Sequence, residues 1–177
     1  MAQHPSNSSR MQRIKRSTRT ALLFSTVLFG IMFTQDLVRQ RKVPDSVPTQ
    51  QLLSINGSHY DLAALSADGP VLVYFWATWC PVCQLTSPLM STFSHDYPVI
   101  SIAMRSGEDE KLQQYITAKG YEFSVINDMH GQLTAPWHIG VTPTIAIVVN
   151  GKIVSVTSGV TTSMGLRARL WFYGNFN

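Results

Sequence analysis

The chain has 177 residues, 14 Lys+Arg against 10 Asp+Glu, and only two cysteines, a length that suits one domain with a proper hydrophobic core. Its net charge of +4 is unevenly placed: residues 1–42 carry eight basic residues and one acid, residues 43–177 six basic and nine acidic. A folded DNA- or RNA-binding domain, which needs a concentrated basic face, is thereby excluded. Two cysteines likewise exclude a multi-disulfide scaffold and a four-thiolate zinc site.

Residues 1–19 are polar and basic, and an uncharged apolar run extends from Thr20 to Gln35. That order of charged and apolar regions is an export signal. Sixteen helical residues span only ~24 Å, short of the ~30 Å hydrocarbon core. Continuing through Leu37 and Val38, with Arg19 and Arg39 reaching outward, brings the segment close to spanning. A cleaved signal peptide and an uncleaved anchor compete here. The exit, Ile31-Met32-Phe33-Thr34-Gln35-Asp36, has no Ala-x-Ala-like site, which favours an anchor over residues 20–38. The basic residues 1–19 then stay cytoplasmic, and the chain beyond the anchor lies across the membrane. Residues 39–50, polar with two prolines, read as a linker.

Residues 51–177 read as the folded domain. Leu52–Ile55, Asn56-Gly57 and His59–Leu62 suggest a hairpin, because Asn-Gly is a strong two-residue turn signal. Val71–Trp76 is a continuous apolar run, as in a strand buried on both faces. Residues 81–94 suit a helix with Leu85, Leu89, Met90 and Phe93 on its inner face. Val99–Met104 is a second buried strand, and Glu108–Lys119 a helix stopped by Gly120. Phe123–Ile126 forms a short strand. Thr144–Val149 and Lys152–Val156 flank a second Asn-Gly turn, and residues 161–173 form a terminal helix burying Leu166, Leu170 and Trp171. A βαβ beginning and a ββα end predict an α/β fold, a mixed sheet with helices on both faces.

The chemistry lies in Trp79-Cys80-Pro81-Val82-Cys83, where a buried strand gives way to a helix. Cys80 falls at the helix N-terminus, with Pro81 at the first helical position, where a missing N–H costs nothing. Free N–H groups and the positive helix end lower the pKa of a thiol placed there. Cys83, one turn on, is within disulfide reach and more buried. Cys80 is thus the nucleophile and Cys83 the resolving thiol. A purely structural disulfide would close too small a loop to stabilise much. Two thiolates with His130 or His138 would suit Cu(I) or Zn(II), yet neither histidine has ligand-like spacing to the pair. No metal site and no cofactor are assigned. Trp76 belongs to the core, whereas Trp79 shapes the surface beside the nucleophile.

Phe-Trp-Ala-Thr-Trp-Cys-Pro-Val-Cys, with Pro88 in the helix after it and Val141-Thr142-Pro143-Thr144 before the last hairpin, resembles the thioredoxin superfamily. The resemblance spans residues 48–173 and implies a thioredoxin-like fold. It implies a cis Thr142–Pro143 bond facing the disulfide, and a substrate strand pairing with the Thr142 backbone beside Trp79, Pro81 and Val82. Within the superfamily the chain is most similar to membrane-tethered TlpA-like proteins, and among them to the suppressor-of-copper-sensitivity D type of Gram-negative bacteria. That similarity implies a single-pass inner-membrane protein with its catalytic domain in the periplasm. There it would be kept reduced by a membrane electron-donor protein and reduce disulfides of exported proteins, in connection with copper or oxidative-stress tolerance. A disulfide-forming oxidant and a copper-binding or copper-delivery module remain as alternatives. Two departures stand out. Tyr74 replaces the buried Asp of cytoplasmic thioredoxins, and Thr86 replaces the Glu of many TlpA-like reductases. Proton transfer at Cys83 then falls to water, to Tyr74 or to another group such as Glu122.

Overall fold

The computed structural model describes Thr20, Leu23, Phe24, Thr26, Val27 and residues 43–176. The chain divides between Val38 and Arg39. In the first part the five described residues are helical. Among the described residues no helix is long and apolar enough to cross a membrane. The anchor expected over 20–38 lies mostly outside them, as do residues 1–19.

In the second part, five strands form one mixed sheet. β3 (Val71–Trp76), β4 (Val99–Met104) and β5 (Ser124–Asp128) are parallel neighbours, and β6 (Thr144–Val149) and β7 (Lys152–Ser158) add antiparallel strands on the other side of β3. The spatial order is β5-β4-β3-β6-β7, which makes β3 the central strand and explains why all six of its residues are buried. Alternate β3 residues serve two cores: Leu72, Tyr74 and Trp76 on one face, Val71, Val73 and Phe75 on the other.

The two faces are covered unequally. Helices α2 (Pro81–Phe93), α3 (Asp109–Lys119) and α4 (Ser163–Phe176) all contribute to the Tyr74–Trp76 side. Both parallel crossovers, β3-α2-β4 and β4-α3-β5, step the same way across the sheet. Right-handed connections therefore put both helices on one face. The other face is closed by the entry segment 43–65, with its one-turn helix α1 (Leu62–Leu65), and by a 3-10 turn, Ala135–Trp137.

Several expectations shift in detail. Residues 43–50, read as the far half of the linker, lie along β7: Ser46 bridges Lys152, Val47 N–H donates to Gly151 O at 2.9 Å, and Ile153 N–H donates to Asp45 O. The first hairpin pairs only β1 (Leu52–Leu53) with β2 (His59–Tyr60). Ile55 leaves it to donate to Val125 O on β5, and Asp61 ends it by capping α1 through the N–H groups of Ala63 and Ala64. The second hairpin turns as expected: Asn150 and Gly151 both have positive φ, 51° and 73°, as a two-residue primed turn requires.

The inner face of α2 is Cys83, Thr86, Ser87, Met90 and Phe93, while Leu85 is 74% exposed. In α4, Leu166 and Leu170 are buried four residues apart, whereas Trp171 is turned away and 64% exposed.

Candidate active site

Strand direction assembles the site. Because β4 runs parallel to β3, with Trp76 opposite Ala103, the loops leaving both strands emerge at one edge. Because β6 runs antiparallel, with Phe75 opposite Thr144, the residues preceding it arrive at that same edge. Open parallel sheets place their ligands at this carboxyl end of the strands. Three loops meet there: 77–80, 105–107 and 141–143.

Cys80 is the N-cap of α2, with Pro81 at the first turn. It forms a disulfide with Cys83, the Cα atoms 5.3 Å apart, well inside the usual range. The Cys80 sulfur accepts the Cys83 N–H at 3.2 Å and lies 3.6 Å from the carbonyl oxygen of Thr142. The Thr142–Pro143 bond is cis. Cys80 and Cys83 are 4% and 1% exposed, so both are nearly buried. Their difference lies in what each sulfur faces. Cys80 faces the helix N–H and the proline loop, whereas Cys83 sits one turn inside α2 above Tyr74. When the pair is reduced, the N–H at the helix start stabilises a thiolate on Cys80.

Two supports from distant segments escape the sequence. Ser106, in the loop after β4, accepts the Thr78 N–H at 3.1 Å and donates to Met104 O. The Trp79 indole N–H donates to Arg105 O at 3.1 Å. Both hold the turn that carries Cys80. On the opposite side, the Thr144 hydroxyl donates to Val141 O, shares a second bond with Ser158, and fixes the proline loop, while Gly159 N–H donates to Pro143 O. The only sequence signal for these partners is position: short polar residues at the ends of strands that the topology makes neighbours.

Trp79, Pro81 and Val82 are exposed around Cys80, Thr142 is half-buried and Pro143 buried. The residues singled out for substrate contact thus converge on one face. The proton-transfer candidates separate. The Tyr74 hydroxyl is 3.0 Å from Ser87 Oγ and donates to the Cys83 carbonyl oxygen at 3.4 Å. Burial pushes its pKa well above the ordinary value, the Ser87 hydrogen bond only partly opposing this. Tyr74 is therefore a neutral phenol near pH 7, a relay at most and never a base. Glu122 lies elsewhere: its side chain is exposed and pairs with His95 at 2.9 Å, and its N–H donates to Ser91, two turns beyond Cys83. Thr86 is buried and spends its hydroxyl on Val82 O. Among the described residues no group of three or more His, Cys, Asp or Glu side chains is arranged to hold a metal ion.

A dithiol–disulfide pair at a helix start, facing a cis-proline loop on a five-stranded mixed sheet, defines a thioredoxin-like protein-disulfide oxidoreductase. The chain belongs to the AhpC/TSA family, which matches residues 43–157. It is 35% identical to a Haemophilus influenzae protein named thioredoxin-like protein, over 90% of this chain and 96% of that one. It is 28% identical to the thiol-disulfide oxidoreductase ResA of Oceanobacillus iheyensis, over 90% of each. Among solved structures, a putative thioredoxin from Neisseria meningitidis superposes with a TM-score of 0.68 at 21% identity, covering 75% of this chain and 92% of that one. A secreted disulfide oxidoreductase of Mycobacterium tuberculosis gives 0.61 at 18%, covering 70% and 96%. Those two structures establish the fold.

Proposed function

We propose that this oxidoreductase is a reductase of disulfides in exported proteins, held at the periplasmic side of the inner membrane by residues 20–38. The reading carries with it the copper or oxidative-stress setting of the suppressor-of-copper-sensitivity D type. The observation that carries the chemistry is the Cys80 sulfur, which accepts the Cys83 N–H at the start of α2 while lying beside the Thr142 carbonyl.

In the reducing direction the Cys80 thiolate attacks one sulfur of a substrate disulfide, whose S–S bond breaks as a mixed disulfide forms. The first substrate thiolate leaves and takes a proton. Cys83, deprotonated, then attacks the Cys80 sulfur and releases the second substrate thiolate. Two electrons pass to the substrate and the Cys80–Cys83 disulfide is restored. A thiol donor on the membrane must then reduce it for another turnover. Thr142 and the exposed Trp79, Pro81 and Val82 supply the surface on which a substrate strand lies.

Insulin reduction driven by a small dithiol tests the activity, and equilibration with glutathione tests the direction. A potential well below that of strong disulfide-forming oxidants, about −120 mV, supports the reductase; a value at that level makes the protein an oxidant. An inert protein that binds Cu(I) stoichiometrically, and loses it on Cys83→Ser, would replace the enzyme by a copper-binding module. The Cys83→Ala variant stalls on the mixed disulfide, so its partners identify both substrates and donor. Protease added to spheroplasts should digest residues 43–177 and spare the cytoplasmic 1–19.

A further inference from the structure

Beside the disulfide runs a groove of about 510 Å³, lined among others by Trp79, Arg105, Gly131, His138, Val141 and Thr142. Arg105 is the one permanently charged residue among those lining it, and no carboxylate lines it. The nearest acids in sequence, Glu108, Asp109 and Glu110, belong to the start of α3, where Asp109 accepts from the Asn127 side chain at 2.7 Å. Among the described residues Arg105 enters no ion pair. It is an exposed cation without a carboxylate on a site wall.

Its placement is specific. Arg105 is held at a φ of 47°, a left-handed conformation uncommon for a side chain of this size. Both of its backbone groups are used: the N–H donates to Asp128 O at 2.9 Å, and the carbonyl accepts from Trp79. The guanidinium lies against Gly131, where a Cβ would meet Nε and Nη2 at 3.4 Å. Gly131, itself at a φ of 75°, leaves that berth open. The guanidinium rests beside the Gly131 backbone, and a guanidinium fork matches a carboxylate in two parallel hydrogen bonds.

We propose that Arg105 is a specificity-determining residue that selects polypeptide disulfides bearing an acidic side chain close in sequence to the reacting cysteine. As the substrate strand lies along Thr142 and Trp79, the carboxylate enters the groove and pairs with the guanidinium. The proposal rests on the reductase reading above.

The test uses the reduced full-length chain, freed of dithiol, and fluorescence-quenched peptide disulfides. These are identical except for Glu, Gln or Lys at each of three positions on either side of the cysteine. At one or more positions the Glu peptide should half-saturate at about two- to fivefold lower concentration than the Gln peptide, and the Lys peptide at a higher one. Arg105→Gln should erase this order and Arg105→Glu should reverse it, which a merely structural role would not do. An order that survives in both variants overturns the proposal, as does the absence of any order while the Gln peptide is reduced normally. Dependence on Arg105 seen with glutathione disulfide but with no peptide also overturns it. Failure to reduce every peptide removes the reductase reading itself.

Discussion

The two walls of the active site are built differently. The first, Trp76 to Cys83, is one continuous stretch in which a strand ends, a helix begins and the reactive sulfur falls at the helix start. The second is assembled from three separate segments, Arg105–Ser106, Gly131–His138 and Val141–Pro143, brought together only by the order and direction of the strands. The first wall holds the electrons. The second is made of loops braced by hydrogen bonds and one buried tryptophan. The reactive pair is thus local in this protein, whereas the groove beside it is tertiary.

If that division holds, damage to each wall should read out differently. Cys80→Ser should reduce insulin reduction to background with the fold intact by circular dichroism, since no other thiol can make the first attack. Trp137→Ala strikes the support of the second wall. Trp137 is fully buried and packs edge-to-face on Phe75 at 5.1 Å, so its loss should cost about 3–5 kcal/mol in denaturant unfolding. The remaining folded fraction should still reduce a small, unselective disulfide.

Tyr74→Phe probes what lies beneath the first wall. Removing the hydroxyl leaves Ser87 short of a partner and should cost about 1–2 kcal/mol near neutrality. Because burial raises the Tyr74 pKa in the folded chain, the native state keeps a proton that the unfolded state gives up above its ordinary value near 10. Tyr74 therefore contributes stability that is fully present below that value and lost as pH rises beyond it. Wild type should lose stability more steeply than Tyr74→Phe in alkaline unfolding. An identical alkaline decline in both would contradict this.

Ser106→Ala should lower stability by about 1 kcal/mol by leaving the Thr78 N–H without its acceptor. The thiolate titration of reduced Cys80, monitored by ultraviolet absorbance, should not move. A shift would mean that the second wall also sets the chemistry. Leu85→Gln should change stability by less than about 0.5 kcal/mol, because that side chain is exposed.

Legibility in the sequence divides along the same line. Strand β3 is plain because a strand buried on both faces is apolar throughout, and α2 is plain because Pro81 marks its first turn. The apolar spacing places Leu89, Met90 and Phe93 of α2 correctly and misplaces only Leu85, because the turn nearest Cys83 buries the polar Thr86 and Ser87 instead, Ser87 serving the Tyr74 hydroxyl. The strand expected at His59–Leu62 is cut short by Asp61, whose capping bonds compete with pairing. Ala135–Trp137 offers no periodicity at all, because a single 3-10 turn is too short to show one. Glu122 is suggested by side-chain type alone, and the fold carries it to the far end of α2.

By itself the sequence determined the reactive pair, its place at a helix start and the strand–helix order, because each depends on neighbours within a few residues. The tertiary structure alone decided that all three long helices share one face, and it gave the approach of Thr142 to the Cys80 sulfur, implied by the resemblance, its distance of 3.6 Å. It alone set Arg105 on the groove beside them. Such contacts join residues tens of positions apart, and the direction of each strand, not the chemistry of its residues, determines which ends meet.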